Sequence, residues 1–280
     1  VYRTANISIL ALKTAAARNI QIGVAQLPYA AQAAQLAVLR EWLIACDNQH
    51  AHATCRVTDH RSLHTDDPGK RLPTRLIDVG VVGNHKVRLC ETAVGDVGEW
   101  VALSHQWGPP PHFCTIRQNL TEHLNSIDYA ALPATFRDAV TVTRALGLRY
   151  LWIDSICIIQ GKDGDFFQEA KRMEEVYSGA YCVLAASRAS GQSSGFLQPR
   201  HERGCVVLEK NNSRRSEGFL YIYEMVDDFK SHVLESALNS RGWVMQEHAL
   251  ARRTIFFTDY QMYWECGDGV RCETMTKLNK

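Results

Sequence analysis

Through the middle of the chain, dense apolar runs alternate with longer stretches in which apolar residues fall three and four positions apart. The dense runs, "WVALS" (100 to 104), "RYLWIDSICII" (149 to 159) and "YCVLAAS" (181 to 187), predict buried strands. Between the first two, "LPATFRDAVTVTRALG" has the spacing of a helix, with Thr135 and Asp138 patterned as a capping box and Gly147 placed to end it. Between the second and third, "DGDFFQEAKRMEEVYSG" sets Phe167, Ala170, Met173 and Tyr177 at helical spacing, with Asp163 or Asp165 as cap and Gly179 as stop. Strand, helix, strand, helix, strand predicts an α/β fold: a central, mostly parallel sheet with right-handed crossovers and helices on its faces.

The flanking patterns differ. "AAQAAQLAVLREWLIAC" (30 to 46) places Leu36, Leu39, Leu43 and Cys46 on one side of an amphipathic helix, and residues 4 to 20 are expected to form another. A polar, His-rich stretch from Asp47 to Lys70 reads as loop, and "RLIDVGVVGNHKVRLCE" reads as two strands around a Gly-Asn turn. The Ser, Gly, Arg and Asn content from Ser187 to Glu217 predicts a surface excursion. Beyond it, "NSRGWVMQEHAL" suits a helix start, and "RTIFFTDYQMYWEC" a β-hairpin turning near Asp259 and Tyr260. The expected organisation is an N-terminal helical extension and loop (1–70), then a domain over 71–280 with its core at about 99–266.

Composition narrows the function classes. With 280 residues, 46 % of them hydrophobic, the chain can bury a substantial core. The 31 Lys and Arg nearly balance the 30 Asp and Glu, so no global field draws nucleic acid or an anionic membrane. No apolar run approaches the ~18 residues of a membrane span, and the start lacks a basic segment leading into a long apolar one. The nine cysteines sit in apolar contexts, which fits a reducing, cytoplasmic setting.

In a parallel sheet, ligands bind beyond the carboxyl ends of the strands. There the sequence places Ser104, His105, Gln106 and Trp107 after the first strand: the Ser suits a ribose or phosphate oxygen, and Trp107 either stacks on a base or belongs to the core. Gly108 allows close backbone approach, or simply a turn. Asp154, at the end of an apolar run and followed by Gln160, either lines the crevice or is a structural acid held by backbone N–H groups or by Arg149, Arg172 or Arg241. Glu169, early in the next helix, is a candidate catalyst or an acid favouring the helix dipole. Arg241 and Glu247 stand near another helix start, where the Arg holds either a phosphate or a carboxylate. Cys46, His50, His52 and Cys55 are zinc-ligand types without finger spacing, and no metal site is expected. "GQSSG" around Ser193 matches a nucleophile elbow in letters alone, lacking the strand and helix that an elbow joins.

The motifs "WVALSHQWG", "LPATFRDAVTVTRALGLRYLWIDSICIIQ", "EAKRMEEVYSGAYCVLAAS" and "RGWVMQEHALARRTIFFTDYQMYWEC", in that order and with "LPTRLIDV" upstream, closely resemble the fungal heterokaryon incompatibility (HET) domain over about residues 73 to 266. The resemblance implies a role in the cell death that follows fusion of genetically different fungal cells, and a distant relation to TIR domains. Those share a TIR-like, flavodoxin-like sheet plan, assemble on activation and in many cases cleave NAD. It further implies that Glu169, in "DFFQEA" beside Phe166 and Phe167, is the catalytic carboxylate; Asp154, as an acid within an apolar run, is the second candidate. Ser104, His105, Gln106, Trp107, Gly108, Gln160, Phe166, Arg172 and Arg241 are the expected substrate-binding residues. No G-x-G-x-x-G or P-loop occurs, so a nucleotide such as NAD is expected as substrate and no cofactor is expected. A homo-oligomer on activation and signalling partner domains are the expected partners. Two alternatives stand beside this reading: a non-enzymatic, self-associating death-signalling module, and a related fold recruited to another small-molecule reaction.

Overall fold

The computed structural model describes residues 7–12, 32–49, 70–200, 205–209, 219–224, 227–240, 242–273 and 277–278. In chain order these form β1 (Ile7–Leu12), α1 (Gln32–Gln49), β2 (Lys70–Arg71), β3 (Arg75–Asp78), β4 (Lys86–Glu91), β5 (Val97–Gly98) and β6 (Trp100–Ser104). There follow α2 (Leu120–Asn125), β7 (Ile127–Asp128), α3 (Ala134–Ala145), β8 (Tyr150–Trp152), α4 (Asp154–Cys157), α5 (Phe166–Ala170), α6 (Met173–Gly179) and β9 (Cys182–Ala185). The remainder comprises β10 (Cys205–Glu209), β11 (Phe219–Glu224), α7 (Gly242–Leu250), β12 (Thr254–Phe257), β13 (Met262–Cys266), β14 (Gly269–Cys272) and β15 (Lys277–Leu278).

The principal sheet has the order β15-β14-β13-β12-β9-β6-β8-β3-β4-β7. Only β12, β9, β6 and β8 run parallel to one another; their neighbours on both sides join antiparallel. The fold is α/β with a mixed sheet flanked by helices, which corrects the expectation of a mostly parallel one. The reason is connection length: the expected hairpins at β3-β4 and β12-β13 leave room only for antiparallel return, whereas parallel pairing needs a crossover.

Strand order then locates the crevice. From β6 the chain crosses through α3 to β8, and from β8 it returns through α5 and α6 past β6 to β9. The loops after β6 and β9 therefore leave in opposite directions, which is where an α/β sheet opens a crevice at its carboxyl edge. Right-handed crossovers in opposite directions put α3 and α6 on opposite faces. Alternation along β6 agrees: Trp100 sends its indole N–H to the Val176 carbonyl on α6 (3.2 Å), while His105 lies edge-on to Phe136 of α3 at 5.1 Å between ring centroids.

The core is apolar and close-packed, with Trp100, Val101, Leu103, Phe136, Val140, Leu151, Trp152 and Tyr177 all buried. Helix α1 adds Leu39, Trp42, Leu43 and Cys46 to it, and Trp42 lies 6.4 Å from Trp264. Cys157 and Cys182 are buried, and burial raises both thiols, Cys182 to about 12. Among the described residues no helix is long and apolar enough to cross a membrane.

Three local expectations are revised. Within residues 4–20, Ile7–Leu12 is a strand paired with β11, which also pairs β10; this also makes part of the expected surface excursion a strand. Tertiary pairing overrides the local helical spacing there. Tyr150–Trp152 is the whole of β8, and Asp154 begins a single helical turn rather than ending a strand. The helix expected from residue 166 to 179 breaks at Lys171 and Arg172 into α5 and α6, and Phe167 is 81 % exposed rather than part of a buried stripe. Residues 50–69, with His50, His52 and Cys55, lie outside the described residues, as does Arg241.

Helix α3 ends as its sequence predicts. Gly147 adopts φ +76°, its N–H bonds the Arg144 carbonyl (3.0 Å), and Leu148 N–H bonds the Thr143 carbonyl (3.1 Å), the two bonds of a Schellman ending. A Cβ at Gly147 meets nothing within 4 Å, so only backbone strain opposes one. Gly147→Ala is expected to lower stability by about 1–2 kcal/mol, read as a lower denaturation midpoint at unchanged slope.

Candidate functional site

The loop after β6 is fixed by backbone contact with the loop after β9. Gly108, at φ +74°, lies so close to Gly191 that a Cβ on it would meet the Gly191 Cα at 2.7 Å; the reverse contact would be 2.9 Å. Only two glycines allow this approach. Gln192 N–H bonds the Trp107 carbonyl (3.3 Å), and His112 Nε2 lies 3.0 Å from the Gly108 carbonyl oxygen. A pocket of about 280 Å³ opens here, lined by Trp107, Pro109, Pro111, His112, Phe113, Pro133, Gln192 and Ser193.

The residues 187–197, expected at the surface from their Ser and Gly content, are instead mostly buried or half-buried and held by side chains of α3. Thr135 Oγ1 donates to the Gly191 carbonyl (2.8 Å) and accepts from Gly195 N–H (3.1 Å). The Asp138 carboxylate accepts from the N–H groups of Phe196 (2.6 Å) and Leu197 (2.9 Å). Thr135 and Asp138 thus cap the loop and not their own helix, whose start at Pro133 has no side-chain cap. Gln192, buried, clamps the other side: its Oε1 accepts from Phe113 N–H (2.7 Å) and its Nε2 donates to the Phe113 carbonyl (3.3 Å).

Burial raises the Asp138 carboxyl above its ordinary 3.8, against the two backbone N–H groups that lower it. Between the ordinary and the raised value the folded protein binds the proton more tightly than the unfolded chain. Asp138 therefore makes stability fall as pH climbs through that window, with no further change below or above it. In Asp138→Asn, whose amide oxygen can still accept from the loop, urea midpoints measured upward from about pH 4 are expected to lose that part of the fall.

Asp154 closes the first cluster. Its Oδ2 accepts the Trp107 indole N–H (2.8 Å), its Oδ1 accepts Ser155 N–H (2.7 Å), and His105 Nδ1 stands 3.8 Å from Oδ1. Gln160 donates to the carbonyls of Asp154 (3.3 Å) and Ile158 (3.0 Å), which steadies the segment after α4. Of the three arginines weighed as partners of Asp154, Arg149 pairs instead with Asp78 and Arg172 with acids of its own helical segment, while Arg241 lies outside the described residues.

Ser104 belongs elsewhere. Successive side chains of a strand point to opposite faces, so Ser104 turns away from His105 and donates to Glu247 of α7 (2.5 Å), both groups being buried. Ser104 is therefore not part of one wall with His105 and Trp107, which both stand at Asp154. Gln106 and Gly108, on either side of Trp107, are half-buried in the loop.

Glu169 lies in a second cluster at the same edge. Because β3 runs antiparallel to β8, the start of β3 sits beside the carboxyl end of β8. Thr74, just before β3, donates to Glu169 Oε1 (2.8 Å), and Arg172 Nη1 is 3.9 Å from the same oxygen and bonded to the Thr74 hydroxyl. Glu169 is 9 % exposed, and its Oε2 has no hydrogen bond with the described residues. Phe166 and Phe167, 43 % and 81 % exposed, meet edge to face at 6.0 Å one turn earlier.

The helical turn α4 joins the clusters: Asp154 begins it, and the Cys157 carbonyl at its end accepts from Arg75 Nε (2.8 Å). Arg75, buried, also pairs with Asp165, whose Oδ1 accepts from Ile159 N–H (2.8 Å). Arg75, Thr74, Asp165, Gln192 and His112 were not anticipated as site residues. An arginine inside the apolar "RLID" run was the available signal, since a buried cation requires a partner. Among the described residues, no group of three or more His, Cys, Asp and Glu is arranged to hold a metal ion.

Comparison with curated proteins and with solved structures gave no match. The family described as Heterokaryon incompatibility protein (HET) matches residues 100–247, which is 148 of the 280 residues; the match includes Trp107, Asp154 and Glu169 but not Thr74 or Arg75. The chain belongs to the heterokaryon incompatibility (HET) family.

Proposed function

We propose that this HET protein acts in fungal non-self recognition and cell death by hydrolysing the nicotinamide N-glycosidic bond of NAD, with Glu169 as the catalytic carboxylate. Family membership supports the role in non-self recognition and death. The observation that carries the chemistry is the half-engaged Glu169: Oε1 is held by Thr74 and Arg172, and Oε2 is left for a ligand at the carboxyl edge of the sheet. As the C–N bond breaks, its electron pair leaves with nicotinamide, which departs neutral, and positive charge develops on the ribose. A carboxylate oxygen beside that ribose stabilises the charge. Water then adds to the anomeric carbon, giving ADP-ribose, nicotinamide and one proton. The sheet plan of this reading is TIR-like, activity follows self-association, and the setting is cytoplasmic, with no metal or cofactor taking part.

One observation favours a second reading. The exposed Phe166–Phe167 pair is a protruding apolar contact beside Glu169, suited to a second copy of the chain; on this reading the carboxylate only braces the knob. Nicotinamide release by purified protein over a wide range of protein concentration separates the two. Release that rises more steeply than concentration supports the assembled hydrolase, and folded protein that releases none supports the interaction module.

A further inference from the structure

A cavity larger than the one beside Trp107 lies away from the carboxyl edge. About 770 Å³ in volume, it lies at the opposite end of the parallel strands, between the β3-β4 turn, the end of α3 and the residues leading into β8. Its size falls within the range of small-molecule sites. The charges around it are unbalanced: Lys86, Arg88, Arg144 and Arg149 face one carboxylate, Asp78, an excess of three positive charges in a chain of net charge +1.

Asp78 does not neutralise the rest. Arg149 takes it with both Nε (3.0 Å) and Nη2 (2.8 Å), and Arg88 reaches it only at 3.5 Å. Lys86 and Arg88 stand two apart on β4 and are both exposed, so they project on one side of the strand. Arg144 is anchored by Nε on the Val79 carbonyl (2.7 Å) and by the Tyr129 ring, 5.4 Å away, while its Nη2 is buried without a hydrogen-bond partner. That nitrogen is closed off from the cavity, so Arg144 contributes an uncompensated positive charge to the wall, which favours an anion beside it. The carbonyls at the end of α3 that would repel an anion are occupied: Arg144 and Thr143 accept from Gly147 and Leu148, and Ala145 accepts from Arg40 Nε (2.5 Å). The apolar part of the lining is available too, since Val81 and Val82 are 75 % and 78 % exposed at the rim.

We infer that this cavity is a second ligand site, distinct from the carboxyl edge, that binds a phosphorylated organic anion of nucleotide size. Phosphate oxygens are held by Arg88 and Lys86, with the charge of Arg144 behind them, and the organic body lies against Val81, Val82 and Leu148. Arg149 positions the Asp78 carboxylate and with it the wall.

The probes are ATP and inorganic tripolyphosphate, titrated calorimetrically against the full chain at about 0.15 M salt, where loose surface attraction is screened. ATP is expected to bind at a single site, tripolyphosphate more weakly. The double variant Lys86→Glu/Arg88→Glu is expected to weaken ATP at least about tenfold, and Arg144→Met to weaken it similarly. Both exposed positions tolerate substitution without unfolding, which the melting curve checks; Arg88→Ala provides a milder variant. Glu169→Gln protein is expected to bind ATP like the wild type, so the result is independent of NAD hydrolysis. No binding of ATP, or equal binding by the double variant, overturns the site. Equal affinity for tripolyphosphate overturns the organic part of the ligand.

Discussion

Glu169→Gln is expected to reduce nicotinamide release from NAD by about 100-fold to 1000-fold at every protein concentration, the range seen when one preorganised charge-stabilising group is removed. The substitution is chosen to preserve the fold around it. A Gln amide oxygen can still accept from Thr74 Oγ1, which lies 2.8 Å from the carboxylate oxygen it replaces. What is lost is the negative charge opposite the developing oxocarbenium ion, so the loss should fall on kcat more than on KM. Arg172 loses an anionic neighbour at 3.9 Å, but it is also 3.7 Å from Glu175, so little change in melting temperature is expected. Chromatographic quantification of nicotinamide against protein concentration reads the result. Release that survives the substitution would remove Glu169 from the chemistry and return attention to Asp154.

The second large effect concerns structure at the crevice. Gly108→Val is expected to destabilise the protein by about 2–6 kcal/mol, combining the strain of a side chain at positive φ with overpacking. The clash is with backbone, Gly191 Cα at 2.7 Å, and cannot be relieved by turning a flexible side chain. Parting the loops breaks the Gln192–Trp107 bond, and moving the loop after β6 also draws Trp107 off Asp154. Thermal unfolding compared with Gly147→Ala separates the contributions, because both glycines have positive φ but only Gly108 is crowded.

Elements bounded by turn residues were legible in the sequence. Strand β6, helix α3 with its Gly147 ending, strand β9, the β3-β4 pair and the β12-β13 hairpin all follow from apolar period and the residues that interrupt it. Asp154 was misread because one helical turn has no period to detect, and an apolar run through it looks like strand. Thr135 and Asp138 have capping spacing, yet a distant loop with unsatisfied N–H groups competes for the same oxygens and holds them. That loop, in turn, reads as surface from composition because nothing local reveals the buried partners that satisfy it. Phe167 has the spacing of a core residue and is exposed, since the break at Lys171 and Arg172 rotates α5 away from α6.

The helical turn from Asp154 to Cys157 serves both clusters, and its thiol has a further consequence. A buried sulfur whose proton is held this firmly presents almost no thiolate, so peroxide and disulfide chemistry pass it by while the turn stays closed. Oxidation of that sulfur would therefore report opening of the turn, because the closed turn packs the thiol against the Leu151 carbonyl, 4.0 Å away, and leaves an added oxygen no place there.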